Sequence, residues 1–337
     1  MNKALITLAV LGTFAGAAAA QSSVAVFGVL DVNGRYLKNG DVDTKLLAND
    51  GNSSSRLGFR GIEDLGNGLK AGFWLESSVA ADTGSINSSG KFWHRRSTVS
   101  LISSNYGEVR LGRDTVPTWT AFADNDVFGT VGIADASRSF GVLGSNADTK
   151  LRADNLASYF LPANLGGIYG NVSVAPGEGV AGKKYSGGRV GYRAGPIDGS
   201  IAYGTTETST GDFKVLVFGG SYDFGVAKVY ASVQQTELDV NEDRHYTLGV
   251  AAPVAGGTFK ASYSKADGQS GNATNREADQ YAVGYVYDLS KRTALYSTLA
   301  LIDNKGTANY TVADITGVTL GAGQKSQGFE AGIRHSF

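Results

Sequence analysis

The last ten residues of the 337-residue chain, Gly328 to Phe337, read GFEAGIRHSF. An extended strand sends successive side chains to opposite faces. Phe329, Ala331, Ile333, His335 and Phe337 therefore share one face, and Gly328, Glu330, Gly332, Arg334 and Ser336 share the other. The first face is mainly apolar, the second polar, and the strand stops on an aromatic residue. Termini of soluble domains usually fray into water. A strand of this kind fits the closing position of a β-barrel, with its aromatic end in the girdle at a membrane–water interface.

The opposite end carries the marks of export. Lys3 is the one charge in the first 30 residues, and an apolar run from Ala4 to Ala15 follows it. Gly16 and the alanines Ala17 to Ala20 come next, with Ala18 and Ala20 at the small-residue positions of a cleavage site. Residues 1–20 are thus expected to be a signal peptide cut before Gln21, leaving 21–337 as a single barrel domain. The apolar run is too short for a membrane-spanning helix.

Composition narrows the class. Setting Lys3 aside leaves 29 basic residues against 31 acidic, so there is no basic footprint for nucleic acid. Cysteine is absent, which removes disulfide frameworks and thiolate metal sites. No apolar stretch beyond the signal approaches the length of a membrane helix. Many aromatics (16 Tyr, 15 Phe) with 47 Gly and only 5 Pro suit short alternating strands joined by turns.

Alternation places strands at 22–37, 53–63, 69–79, 91–103, 107–114, 152–161, 167–176, 185–195, 197–206, 213–223, 225–236, 243–252, 257–266, 278–288, 292–302 and 325–337. Sixteen is an even number, so both ends of the barrel chain fall on one side. Short links with turn chemistry, such as 64–68, 162–166, 195–196 and 253–256, alternate with polar links at 38–52, 80–90, 115–151, 177–184, 207–212, 237–242, 267–277 and 303–324. Transmembrane barrels show this asymmetry of tight turns on one side and long loops on the other. The predicted class is all-β: a 16-stranded antiparallel transmembrane barrel.

The link 115–151 is the longest, and a connection of that length is usually functional. Trp119 to Phe140 are apolar enough to lie against a wall, with Asp124, Asp126 and Asp135 between them. The charges on the strands point the same way. Leu57 and Phe59 leave Arg56 and Arg60 on the opposite face; Val99 and Leu101 leave His94 and Arg96; Val109 and Leu111 leave Glu108 and Arg110; Val190 and Tyr192 leave Arg189 and Arg193. Around Arg152 the alternation is broken by Leu156. An arginine facing mid-bilayer lipid costs about 2–4 kcal/mol, so these faces line a wet lumen. The candidate constriction is a basic wall of Arg56, Arg60, Arg96, Arg110 and Arg152 opposite loop acids Asp124, Asp126 and Asp135. Some of these arginines are equally placed to sit at the rims, paired with Glu63, Glu76 or Glu108, and Arg138 is positioned to cancel one loop acid. Rings of charged side chains set ion preference in a channel.

Specific stretches resemble a known family. SSSRLGFRGIEDLG from Ser53 to Gly66, followed by Gly68-Leu69-Lys70-Ala71, is similar to the second-strand signature of Gram-negative general-diffusion porins, in particular the betaproteobacterial branch. Val26 to Asp31 resembles that family's first strand, Gly107 to Arg113 its fifth, and Gly332 to Phe337 its closing strand. The resemblance implies a homotrimer of sixteen-stranded barrels in the outer membrane, each with its own pore for small hydrophilic solutes and ions. It also implies a third loop folded inward to narrow the channel, with Arg56, Arg96 and Arg152 at the matching eyelet positions. A mild anion preference, contact with outer-membrane lipids, and recognition of Phe337 by the barrel-assembly machinery follow from the same likeness.

Catalytic readings find little support. The histidines are His94, His245 and His335, none with a partner at metal-ligand spacing, and HExxH, GxSxG and Walker A sequences are absent. Gly177 to Gly182 fits GxGxxG, but strands flank it and no helix follows. No cofactor is expected. A sugar- or organic-anion-selective channel of the same fold remains open as an alternative, and a barrel enzyme or an adhesin lies further off.

Overall fold

The computed structural model describes residues 23–86, 90–271, 274–315 and 317–337. The expected signal peptide lies outside them. Seventeen strands occur among the described residues. The first eight are β1 Ser23–Asn39, β2 Val42–Asn49, β3 Arg56–Gly66, β4 Leu69–Ser78, β5 Arg96–Ser103, β6 Gly107–Thr115, β7 Arg152–Phe160 and β8 Ile168–Pro176. The rest are β9 Lys184–Ala194, β10 Ile197–Thr208, β11 Gly211–Asp223, β12 Lys228–Leu238, β13 Asn241–Val254, β14 Gly257–Ser270, β15 Arg276–Asp288, β16 Thr293–Gly306 and β17 Lys325–Ser336.

Every neighbouring pair is antiparallel, and β17 returns to β1 from Val29↔Ser336 to Asn39↔Ser326. The sheet therefore closes on itself and has no free edge at the seam. Phe337 seals it, exchanging backbone hydrogen bonds with Gly28 at 3.1 Å in both directions.

Seventeen strands make sixteen staves because β2 and β3 share one side of β1. The upper half of β1 pairs with β2, Val32↔Asn49 to Asn39↔Val42, and the lower half pairs with β3, Ser23↔Ile62 to Val29↔Arg56. Between them residues 50–55 leave the sheet and turn inward onto Asp31. Its carboxylate accepts backbone N–H bonds from Gly51, Asn52 and Ser53 at 3.2, 2.9 and 2.8 Å and the Tyr296 hydroxyl proton. The expected link 38–52 thus contains a strand: Leu46 and Leu47 sit side by side, which hides its period-two pattern.

Two other links expected to be long are two-residue turns, Ser209-Thr210 and Asp239-Val240, because β10, β11, β12 and β13 each run two residues further toward that rim than expected. On the other rim, Asn67-Gly68 and Ala255-Gly256 both take left-handed backbone at two successive residues, with φ of 53° and 76°, and of 48° and 80°. Such turns match the twist of a tight hairpin.

The alternation seen along the closing strand is realised in space. Phe329 and Ile333 are exposed on the outer face, whereas Ser326 and Glu330 are fully buried inside. The buried apolar clusters lie within the barrel, where the long loop between β6 and β7 meets the wall. Phe122 packs with Ala202, Phe213, Val215 and Val217, and Ile133 packs with Leu37, Ile302 and Val312. Burying a side chain such as Phe122 or Ile133 stabilises the docked loop by about 1.5–3 kcal/mol each.

Candidate functional site

The inward loop begins with a short helix, α1, Pro117–Ala123. Pro117 occupies the first helical turn, where its missing N–H leaves no bond unmade. The helix ends at Asp124, after which the chain runs along the inner wall. Trp119 stacks on Phe140 with ring centres 6.4 Å apart, and Phe122 meets the His245 ring edge-on at 5.7 Å. His245 Nε2 lies 2.8 Å from the Ser139 hydroxyl and Gln280 donates to the Asp135 carbonyl at 3.3 Å, so β13 and β15 hold the returning half. At the far side Glu330 accepts the Ile133 N–H at 3.3 Å while pairing with Arg35 at 2.7 Å. The loop therefore crosses the barrel interior from β9–β11 to β15–β17.

Facing it, β3 to β7 carry the basic wall. Arg56 donates to the Ser54 carbonyl at 2.8 Å and stands 3.8 Å from Glu76. Arg96 lies over the Trp74 ring at 4.6 Å and 3.6 Å from Asp114. Arg110 is held between Glu108 at 2.8 Å and Asp114 at 2.7 Å. Arg60 lies lower on β3, 5.1 Å from the centres of both the Phe27 and Trp74 rings, and forms no ion pair among the described residues. Arg152 likewise lacks an ion-pair partner among the described residues, and shares its surroundings with Arg95, Arg113, Glu76 and Asp114.

The backbone explains the broken alternation near Arg152. The β6–β7 register shifts between Gly112 and Asp114, and Asn155 takes a left-handed φ of 57°. This puts Ala153 and Leu156 together in the buried cluster with Val116 and Tyr185.

One further wall residue escaped the sequence reading. Arg95 donates to Glu76 at 2.6 Å and lies within electrostatic range of Arg56 and Arg152. A strand running from 91 would turn Arg95 outward; β5 instead begins at Arg96, which frees Arg95 to fold in. The doublet Arg95-Arg96 was the available signal. Beside it, burial and the charges of Arg152, Arg95 and Arg113 keep His94 below the ordinary imidazole range.

The three loop acids are each committed. Asp124 forms an ion pair with Arg189 at 2.7 Å. Asp126 is buried and accepts backbone N–H bonds from Phe128, Thr130 and Ala136 at 2.9, 2.8 and 3.2 Å. Burial, with Asp135 adding to it, pushes its carboxyl up to about 6. Asp135 caps the short turn Ala136–Ser139 by accepting the Ser137 N–H at 2.8 Å, with Arg138 at 3.9 Å. Across the lumen, the five guanidiniums of Arg56, Arg95, Arg96, Arg110 and Arg152 share three wall carboxylates among the described residues, Glu76, Glu108 and Asp114. No three His, Asp or Glu side chains gather as a metal site among the described residues.

A closed sixteen-stave barrel, an inward loop and a charged constriction are what an outer-membrane channel requires, and comparison with known proteins decides the family. The sequence profile of the Gram-negative porins matches residues 7–307. This chain is a Gram-negative porin. It is 43% identical to outer membrane porin protein 32 of Delftia acidovorans, over the full length of both chains. It is 27% identical to an outer membrane porin protein of Bordetella pertussis, covering 88% of this chain and 93% of that one. Among solved structures, the anion-selective porin from Comamonas acidovorans matches with a TM-score of 0.86 and 39% identity, covering 94% of this chain and 100% of that one. The porin therefore lies in the outer membrane and forms a water-filled channel for small hydrophilic solutes.

Proposed function

We propose that this porin passes anions in preference to cations, with Arg56, Arg95 and Arg152 forming the selective constriction and Arg96, Arg110 and Arg60 extending the basic wall. The observation that carries the reading is the charge imbalance across the lumen. Wall guanidiniums outnumber wall carboxylates, and Asp124, Asp126 and Asp135 are engaged by Arg189, by backbone amides and by a cap. A passing anion thus meets uncompensated positive potential on one side and little free negative charge on the other. The likeness to a porin described as anion-selective agrees with it.

The same reading takes residues 21–337 as the mature barrel, assembled as a homotrimer, with Phe337 as the handle for barrel assembly. The combined variant Arg56→Ala, Arg95→Ala, Arg152→Ala tests the constriction. In planar bilayers under a salt gradient its reversal potential should move toward zero while steps still arrive in threes. An unchanged potential would remove these arginines from the selective site.

Arg60 supports a second reading, a channel suited to small organic anions. Its guanidinium is held by two aromatic faces and not by a carboxylate, so its N–H edge stays free for a ligand oxyanion. Benzoate added during chloride conduction should reduce current in wild type and not in Arg60→Ala; equal effects in both contradict this reading.

A further inference from the structure

The inner wall beneath the third loop carries glycine at Gly219 on β11, Gly249 on β13, Gly284 on β15 and Gly328 on β17. Glycine weakens a strand unless something requires it, because it adds backbone entropy and packs nothing. None of these four takes the left-handed backbone that would demand glycine. Space is the remaining reason. A Cβ at Gly219 would stand 2.3 Å from Asn125 Nδ2, at Gly249 3.0 Å from Val127 Cβ, at Gly284 2.9 Å from Phe128 Cε1, and at Gly328 2.9 Å from Leu37 Cδ2 on β1 and 3.3 Å from Ile133 Cδ1. Carbon atoms not bonded to each other settle at about 3.5–4.0 Å.

The order of these contacts is informative. Loop residues 125, 127, 128 and 133 meet strands 11, 13, 15 and 17 in sequence, so the loop steps around the wall with a glycine under each step. Buried Ser232, Ala282 and Ala300 continue the small-residue surface on β12, β15 and β16. Because packed interiors transmit displacement, a side chain added at Gly249 or Gly284, beneath Val127 and Phe128, moves the loop toward the lumen.

We propose that Gly219, Gly249, Gly284 and Gly328 form a recessed rail that seats the third loop against the wall and thereby sets the aperture of the channel. They touch neither solute nor ion; they position the segment that does. Other porin residues decide which charge passes, and these glycines decide how wide the passage is.

The test is the open-channel conductance of trimers in planar bilayers at one high salt concentration, for Gly249→Ala, Gly284→Ala and Gly249→Val. Conductance should fall with side-chain size at position 249, by about twofold between glycine and valine. Gly34→Ala is the control, since a methyl there meets nothing within 4 Å. Trimming the partner, Val127→Ala in the Gly249→Ala background, should return conductance toward wild type. If the valine variant does not assemble, the alanine variants and this pair still decide. Wild-type conductance in both alanine variants, or a wider channel, overturns the proposal. Failure of the arginine reading would appear in the reversal potential and leave this series intact.

Discussion

The Arg95 guanidinium donates to the Glu76 carboxylate at 2.6 Å, and this bond draws a residue from outside the strands into the charged wall. Glu76 also stands 3.8 Å from Arg56 and accepts the Trp74 indole N–H at 3.0 Å, so one carboxylate orients much of the constriction. A single charge about 6 Å from a passing ion in a water-like medium is worth about 0.7 kcal/mol, with opposite sign for chloride and potassium, or about tenfold in their permeability ratio. Arg95→Ala should therefore lower the chloride-to-potassium permeability ratio by about tenfold, since it also frees Glu76, and Glu76→Gln should raise it. Reversal potentials of the two variants check the opposite signs.

The loop's distal anchor is a buried ion pair. Arg35 and Glu330 meet at 2.7 Å with almost no exposure, and Glu330 also holds the Ile133 N–H. Breaking such a pair from one side leaves a buried charge uncompensated and costs about 3–5 kcal/mol. Glu330→Ala should lose roughly that much stability in urea unfolding and close more often at low voltage. The double variant Arg35→Met, Glu330→Met should recover much of the stability but not the quiet channel, because the Ile133 N–H still lacks its acceptor.

Asp126 makes loop docking depend on pH. Burial and its neighbour Asp135 raise its carboxyl from an ordinary 3.8 to about 6, so the folded protein holds the proton more tightly than the unfolded chain. The stability this provides is fully present below about pH 4, declines as pH rises, and is gone above about pH 6; its size is on the order of 3 kcal/mol. Lys260 is coupled to Asp126 by charge, and that attraction opposes the shift. Comparing the pH dependence of unfolding in wild type and Asp126→Asn isolates the contribution: the difference between the two curves should vary between pH 4 and 6 and be flat above 7.

Deleting Phe337 removes two backbone hydrogen bonds to Gly28 and the ring packed over that glycine. The expected outcome is a large loss of assembled barrel in outer-membrane fractions, while the same chain refolded in detergent retains its sheet. Equal assembly of both chains would show that the seam closes without the aromatic end.

Where alternation was clean, the fold was legible residue by residue. Leu57 and Phe59 against Arg56 and Arg60, and Val190 and Tyr192 against Arg189, fixed the facing of their strands because the two sides of the wall meet lipid and water. The period-two pattern breaks where the chain leaves the sheet. The 50–55 excursion onto Asp31 splits one stave, so β2 was hidden within an expected loop. β5 starts at Arg96 and not at the expected 91, which leaves Arg95 outside the period-two pattern and free to reach the wall. The partners of Asp124, Asp126 and Asp135 lie on distant strands or in the loop's own backbone, and no local pattern encodes them.

The most direct measurement is the reversal potential of purified wild-type trimers in a planar bilayer separating dilute from concentrated potassium chloride. Wild-type trimers should form ohmic channels whose current reverses on the chloride side of zero. Reversal on the potassium side would contradict this, since the guanidiniums of Arg56, Arg95 and Arg152 would then not govern what crosses the constriction.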